Sequence, residues 1–282
     1  MTYSQAIILG LVEGITEYLP VSSTGHLILV DAFLGFRGNS ALSQSQMDAI
    51  DAFEIVIQGG AILAVIFAYW PKVKNMFRGL IGQNSDGKKL LFNVVAAFLP
   101  AATIGFVLHK IIKKYLQQEW PAVFALAIGG IVMILFEKSQ LAKTRKISGL
   151  DVSQLTIKGA VIIGLLQCIA MWPGTSRSMM TILGGILVGL TPAAAAEFSF
   201  LLGLPTLLAA TGFKAIKHGP ELVAHIGFDT MAVGLVVAAI SAFICVRGFI
   251  SWLTKFGLAP FGYYRIVLSV VVAVYLLTTQ SQ

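Results

Sequence analysis

Glu13 and Glu17 stand four residues apart, so on a helix their carboxylates share one face. They lie in an apolar run, where an unpaired acid costs upwards of about 2.5 kcal/mol on insertion scales for the related Asp. Something must compensate them, and a shared cation or proton site would. An interfacial helix with both groups in headgroup water is the competing reading, and the polar residues that follow disfavour it. Ser22, Ser23, Thr24, Gly25 and His26 crowd hydroxyls and an imidazole into the next positions. A hydroxyl near a base resembles an activated nucleophile, and an imidazole can itself attack phosphorus. Taken alone, Ser-Ser-Thr would be a helix cap; with two carboxylates one to two turns upstream it gains a chemical reading. Ser23 must lose its proton to His26 or Glu17 before it attacks, whereas neutral His26 needs no such help, so histidine requires fewer parts. Both stay candidates.

A second polar break reads Pro173-Gly-Thr-Ser-Arg-Ser178. Arg177 is the only Arg or Lys in its apolar region beyond Lys158 at the mouth. A guanidinium in mid-membrane needs an anion, and its planar donor fork suits two oxygens of a phosphate. Ser176, Ser178 and Thr181 add hydroxyls, Gly174 lets backbone N–H groups approach, and a helix beginning near Ser178 would aim its positive end at the same spot. An ion pair of Arg177 with Glu13 or Glu17 is the structural alternative, and the two are compatible if a phosphate replaces the carboxylate.

Such residues need elements that hold them at membrane depth. Of 282 residues, 57% are hydrophobic and only 12% charged, against about a quarter charged in soluble domains. The chain therefore reads as one all-α polytopic membrane domain over 1–282. The net charge of +7 does not indicate nucleic acid, because the basic residues cluster in short loops. Cys168 and Cys245 lie in apolar runs without metal-ligand spacing. Six segments have the length of a span, at 52–71, 90–109, 120–137, 197–213, 229–247 and 261–279. Regions 4–36 and 158–192 are apolar but broken by the two polar clusters. Broken backbone at this depth survives only where protein or a water-filled cavity covers it, which predicts two re-entrant helical hairpins.

The chain also repeats itself. Gly10-Leu-Val-Glu13 matches Gly164-Leu-Leu-Gln167, and Pro20 with Ser23 matches Pro173 with Ser176. Repeat one covers about 1–140 and repeat two about 150–282. Three spans follow each hairpin, an odd number, so the halves enter from opposite faces as an inverted-topology repeat. The loops at 72–89, 138–158 and 247–260 hold 12 Lys and Arg, against 6 at 37–51, 109–119 and 214–228. That asymmetry makes the first face cytoplasmic and opens hairpin one outward.

Glu13-Gly-Ile-Thr-Glu17-Tyr-Leu-Pro-Val-Ser-Ser-Thr-Gly-His26 and Pro173-Gly-Thr-Ser-Arg-Ser-Met-Met-Thr181 resemble the two signature motifs of the undecaprenyl-diphosphate phosphatase family, also called bacitracin-resistance proteins. The resemblance covers the whole chain, including the Glu197-Phe-Ser-Phe-Leu-Leu run, and departs mainly at Met179-Met180. It implies a bacterial plasma-membrane enzyme that removes the terminal phosphate of undecaprenyl diphosphate, recycling the lipid carrier of peptidoglycan synthesis. It makes Glu17 an essential carboxylate with Glu13 its partner, Ser23 and His26 the nucleophile or acid-base positions, and Arg177, Ser176 and Thr181 phosphate binders. It also implies a divalent cation, Mg2+, placed here at Glu13 and Glu17. Expected partners are the polyprenyl diphosphate and membrane lipids, with a second copy of the chain as a candidate. The rival function is a polyprenyl-phosphate transporter or flippase, since inverted repeats with broken helices commonly build alternating-access sites.

Overall fold

The computed structural model describes residues 1–36, 41–115 and 118–279. The loops at 37–51 and 109–119 and the end of repeat two at 282 therefore lie partly outside the described residues. Every regular element within them is helical, apart from one backbone bridge between Leu150 and Leu190. The helices are α1 (Tyr3–Thr16), α2 (Ser23–Phe33), α3 (Gln44–Val56), α4 (Gln58–Ala68), α5 (Trp70–Leu80), α6 (Ser85–Tyr115), α7 (Glu119–Lys138) and α8 (Gln140–Ser148). They continue as α9 (Ile157–Gln167), α10 (Arg177–Leu187), α11 (Pro192–Lys217), α12 (Gly219–His225), α13 (Phe228–Phe256) and α14 (Ala259–Thr279).

Six helical stretches among the described residues are long and apolar enough to cross a membrane. Each overlaps one span read from the sequence, so the chain is an all-helical multi-pass membrane protein. The first stretch, Gln44–Ala68, begins earlier than hydropathy indicated. Ser43 starts it with a capping box to Gln46, and its polar opening turn carries no hydropathy signal. By contrast α1, α2, α9 and α10 have 14, 11, 11 and 11 residues. At 1.5 Å per residue they reach roughly 17–21 Å, short of a hydrocarbon core of about 30 Å.

The short helices pack crosswise. α1 lies along α13 from the other half of the sequence, and α9 lies along α6 from the first half, while α7 pairs with α14. Glycine makes both crossings close. A Cβ at Gly10 would stand 2.6 Å from the carbonyl oxygen of Gly234, and one at Gly164 would meet the backbone of Ala97. The result is two broken helices, one from each half, whose polar breaks face each other in the interior.

Candidate active site

Each half-helix starts from a serine in a backbone conformation that L-residues avoid. Ser22 has φ 71° and Ser176 φ 77°, and they are the only non-glycine residues with positive φ among those described. Such strain costs on the order of 1–3 kcal/mol per residue and collects at functional sites. These serines cap α2 and α10, so the first helical residues are Ser23 and Arg177. Counted from these caps, Ser23 and Arg177 hold the same position in their helices, whereas counting from the prolines pairs Ser23 with Ser176, because the second tip has one more residue between its proline and its cap.

Glu17, the C-cap of α1, sits between them. Its Oε2 accepts from Ser23 Oγ at 3.1 Å, and its Oε1 accepts from Arg177 Nη2 at 3.0 Å. The two charged side chains are only 8% and 10% exposed, so solvent screens this pair little. Arg177 Nη1 donates to the Ser199 carbonyl at 3.0 Å, and the guanidinium lies 5.3 Å from the centre of the Tyr18 ring. Tyr18 is fully buried, with its hydroxyl donating to the Ala61 carbonyl and its ring edge-on to Phe200. The arginine is therefore fixed in plane and tilt, yet its Nε is buried without an acceptor. A buried donor left unpaired costs about 1–3 kcal/mol, and an anion oxygen would remove that cost.

Glu13, one turn before Glu17, is fully buried within reach of Glu17 and Gln58, and neither carboxylate oxygen has a partner in good hydrogen-bond geometry. Ser23, Glu17 and Arg177 line a chamber of about 160 Å³ together with Gln58, Gly174 and Ser176. A larger cavity of about 440 Å³ shares the wall formed by Ser23, Thr24 and Gln58 and extends to Asp51, Gln118, Glu119 and Lys214. Leu27, Ile28, Ile55 and Met171 give it an apolar side.

The remaining sequence candidates divide between the chamber wall, where Gly174 and Ser176 lie, and the packing behind it. Ser176 Oγ accepts from the Met179 N–H and pairs with Ser178 Oγ. Ser178 is fully buried and donates to the Leu19 carbonyl at 2.8 Å, stitching the second tip to the first. Thr181, also buried, donates to the Arg177 carbonyl and pairs with Ser199 Oγ at 2.6 Å. These two hydroxyls do not line the chamber and are committed to protein partners. Gly174, with φ 91°, borders the chamber. His26 is not brought to it. Its Nδ1 meets the Ser22 carbonyl at 2.8 Å and so carries the proton, leaving Nε2 to accept from Tyr264 Oη at 2.7 Å, with the two rings stacked.

Two residues that sequence reasoning passed over belong to the site's surroundings. Tyr18 lies inside the first motif, but nothing in spacing distinguishes a ring under an arginine from a core aromatic. Arg265 was visible as the one basic residue inside the last span, and a mid-span charge is itself a functional signal.

The assembled group offers an anion site made by a guanidinium and two converging helix N-termini, with a hydroxyl and its carboxylate acceptor at the edge. Comparison with known proteins bears on the chain as a whole. The family model described as Bacitracin resistance protein BacA matches residues 6–271. A protein named undecaprenyl-diphosphatase from Sorangium cellulosum is 44% identical over 274 residues, covering 96% of this chain and 86% of that protein. Proteins of the same name from Thermoanaerobacter pseudethanolicus and Clostridium tetani are 42% and 39% identical, over 94% and 96% of this chain and 94% and 95% of theirs.

Proposed function

The chain belongs to the bacitracin resistance protein BacA family, and from that premise we infer that it is an undecaprenyl-diphosphatase, a membrane hydrolase that converts undecaprenyl diphosphate to undecaprenyl phosphate and inorganic phosphate. Recycling of the lipid carrier for cell-wall synthesis, and with it bacitracin resistance, follows from that activity. The observation that carries the mechanism is the sharing of Glu17 between Ser23 and Arg177.

Before substrate enters, Glu17 neutralises Arg177. A terminal phosphate in the chamber takes over the Arg177 donors, including the unpaired Nε, and leaves Glu17 free to accept the Ser23 proton. Ser23 Oγ then attacks the terminal phosphorus, the bond from phosphorus to the bridging oxygen breaks, and undecaprenyl phosphate departs. Glu17 passes the serine proton to the departing phosphate; water then attacks the phosphoserine, giving its proton to Glu17, the bond from phosphorus to Ser23 Oγ breaks, and Glu17 returns the proton to Oγ as phosphate is released. Phosphoryl transfer is mainly a matter of positioning and charge stabilisation, and the fixed guanidinium and paired helix N-termini supply both. The apolar side of the larger cavity suits the start of the prenyl tail.

The orphaned Glu13 carboxylate, with Glu17 beside it, fits a divalent cation. Mg2+ is commonly held by one or two carboxylates plus water and substrate phosphate oxygens. Among the described residues there is no group of three or more His, Cys, Asp or Glu able to hold a metal, so Glu13 and Glu17 would hold the ion jointly with the substrate. When bound it would supply neutralisation of diphosphate charge.

An inverted repeat in the bacterial plasma membrane accounts for the arrangement: the crossed packing of α1 on α13 and α9 on α6, and the matching strained caps, support it. An external opening is supported by the loop charges and by the larger cavity, whose lining residues Asp51, Gln118 and Lys214 belong to the loops that hold 6 Lys and Arg against 12. With the native cysteines replaced, a cysteine at Gln44 is expected to react with an impermeant thiol reagent in intact cells, and one at Lys143 only after lysis. The opposite pattern would reverse the topology.

Purified protein in detergent is expected to release phosphate from undecaprenyl diphosphate in equal amount to the monophosphate lipid formed, with Mg2+ and not with a chelator. Headgroup binding without phosphate release would instead establish a transporter.

A further inference from the structure

We infer that Arg265, two turns into α14, is a positioning residue that locks the two hairpin tips in the one register where Ser23, Glu17 and Arg177 meet. The inference rests on the phosphatase reading of that group. Arg265 is fully buried and makes four donations, all to main-chain carbonyls. Nη2 donates to Gly174 in the second tip at 2.7 Å and to Ala125 at 3.0 Å; Nη1 donates to Pro20 in the first tip at 3.4 Å; Nε donates to Leu126 at 3.3 Å.

The two tip carbonyls occupy equivalent places. Pro20 lies three residues ahead of Ser23, and Gly174 lies three residues ahead of Arg177. One rigid guanidinium thus spans the lead-in to both functional side chains. Tyr264, the preceding residue of α14, holds His26 three residues beyond Ser23, so the same helix grips the first tip on both sides of its hydroxyl. This gives His26 its place as an anchor.

Packing alone does not call for an arginine here. A buried charge is costly unless hydrogen bonds compensate it, and a leucine would fill an apolar helix contact without that cost. The surroundings are shaped for the guanidinium: a Cβ on Gly129 of α7 would run into Nη2 of Arg265, and one on Gly130 would stand 2.6 Å from the Gly262 carbonyl oxygen of α14. What the charge does is fix the angle between two carbonyls from opposite halves of the sequence. The planar fork of arginine does this, and the single ammonium of lysine does not.

The test is Arg265→Lys, purified and assayed for kcat and KM on undecaprenyl diphosphate alongside thermal unfolding. Because Arg265 lines neither cavity, kcat is expected to fall by about 100-fold, the scale of a 1 Å misplacement, with KM within about threefold of the parent protein. In an Arg177→Lys background the same change is expected to cost less than about tenfold, since residues acting through one alignment are non-additive. Gly129→Ala displaces the guanidinium while keeping its charge and should give the same kcat signature, which decides the matter if Arg265→Lys does not accumulate folded. A kcat within about twofold of the parent in the folded variant would overturn the inference, as would an equal fold-loss in both Arg177 backgrounds, the mark of a purely structural role. Failure of the phosphatase reading looks different: the parent protein itself would release no phosphate.

Discussion

Ser23→Ala is expected to abolish turnover, with kcat falling about 10⁴-fold or more for loss of a nucleophile, while His26→Ala is expected to lose about tenfold or less through a loosened first tip. The expectation follows from where the side chains point. Ser23 Oγ already donates to Glu17 and lines the chamber with Arg177. Both ring nitrogens of His26 are occupied, by Ser22 and by Tyr264, on the side facing α14. The economy that favoured histidine in the sequence, an attacking group needing no base, loses its force once a carboxylate stands 3.1 Å from the serine. Rapid acid quench with terminally labelled substrate should trap an acid-stable phosphoserine at Ser23. Acid-labile label on His26 would move the nucleophile to histidine, and solvent oxygen in the product without any phosphoenzyme would assign attack to water.

Arg177→Lys keeps the positive charge and is expected to cost about 100-fold in kcat/KM. Lysine can still pair with Glu17 across the 3.0 Å contact, so the protein folds with its buried carboxylate compensated. What it loses is the second donor in the plane, the Nε that no protein group satisfies. Removing the charge altogether would be a poorer experiment, because a buried carboxylate left alone destabilises by about 3–5 kcal/mol and would blur catalysis with folding. Near-parental turnover in Arg177→Lys would leave the arginine as an ion-pair partner only.

The six spans and the two interruptions were legible because each is a property of ten to twenty consecutive residues, and lipid imposes their lengths. Glu17, Ser23 and Arg177 were legible because polar chemistry in an apolar run stands out. The positions of Ser178, Thr181 and His26 were not. Their types suit phosphate chemistry equally well, and what decides between that and a structural hydrogen bond is a carbonyl supplied from elsewhere, such as that of Leu19 for Ser178. Arg265 shows the same limit. Its four acceptors come from three separate stretches of chain, and no local spacing announces a contact with Pro20 across 245 residues.

That last contact sets an order of assembly during synthesis. The first tip enters the membrane early, but the helix α13 that α1 packs on and the arginine that holds Pro20 are made last. At about 5–20 residues per second, the ribosome needs roughly 12–50 s to travel from Pro20 to Arg265. For roughly the first 8–31 s of it, until Arg177 is made, the nascent first half carries Glu13 and Glu17 in the bilayer without that cation, and the docking helix α13 follows later still. A chain halted before α14 would thus be a client for membrane quality control and not a slow enzyme, and separately expressed halves would regain turnover only when inserted together.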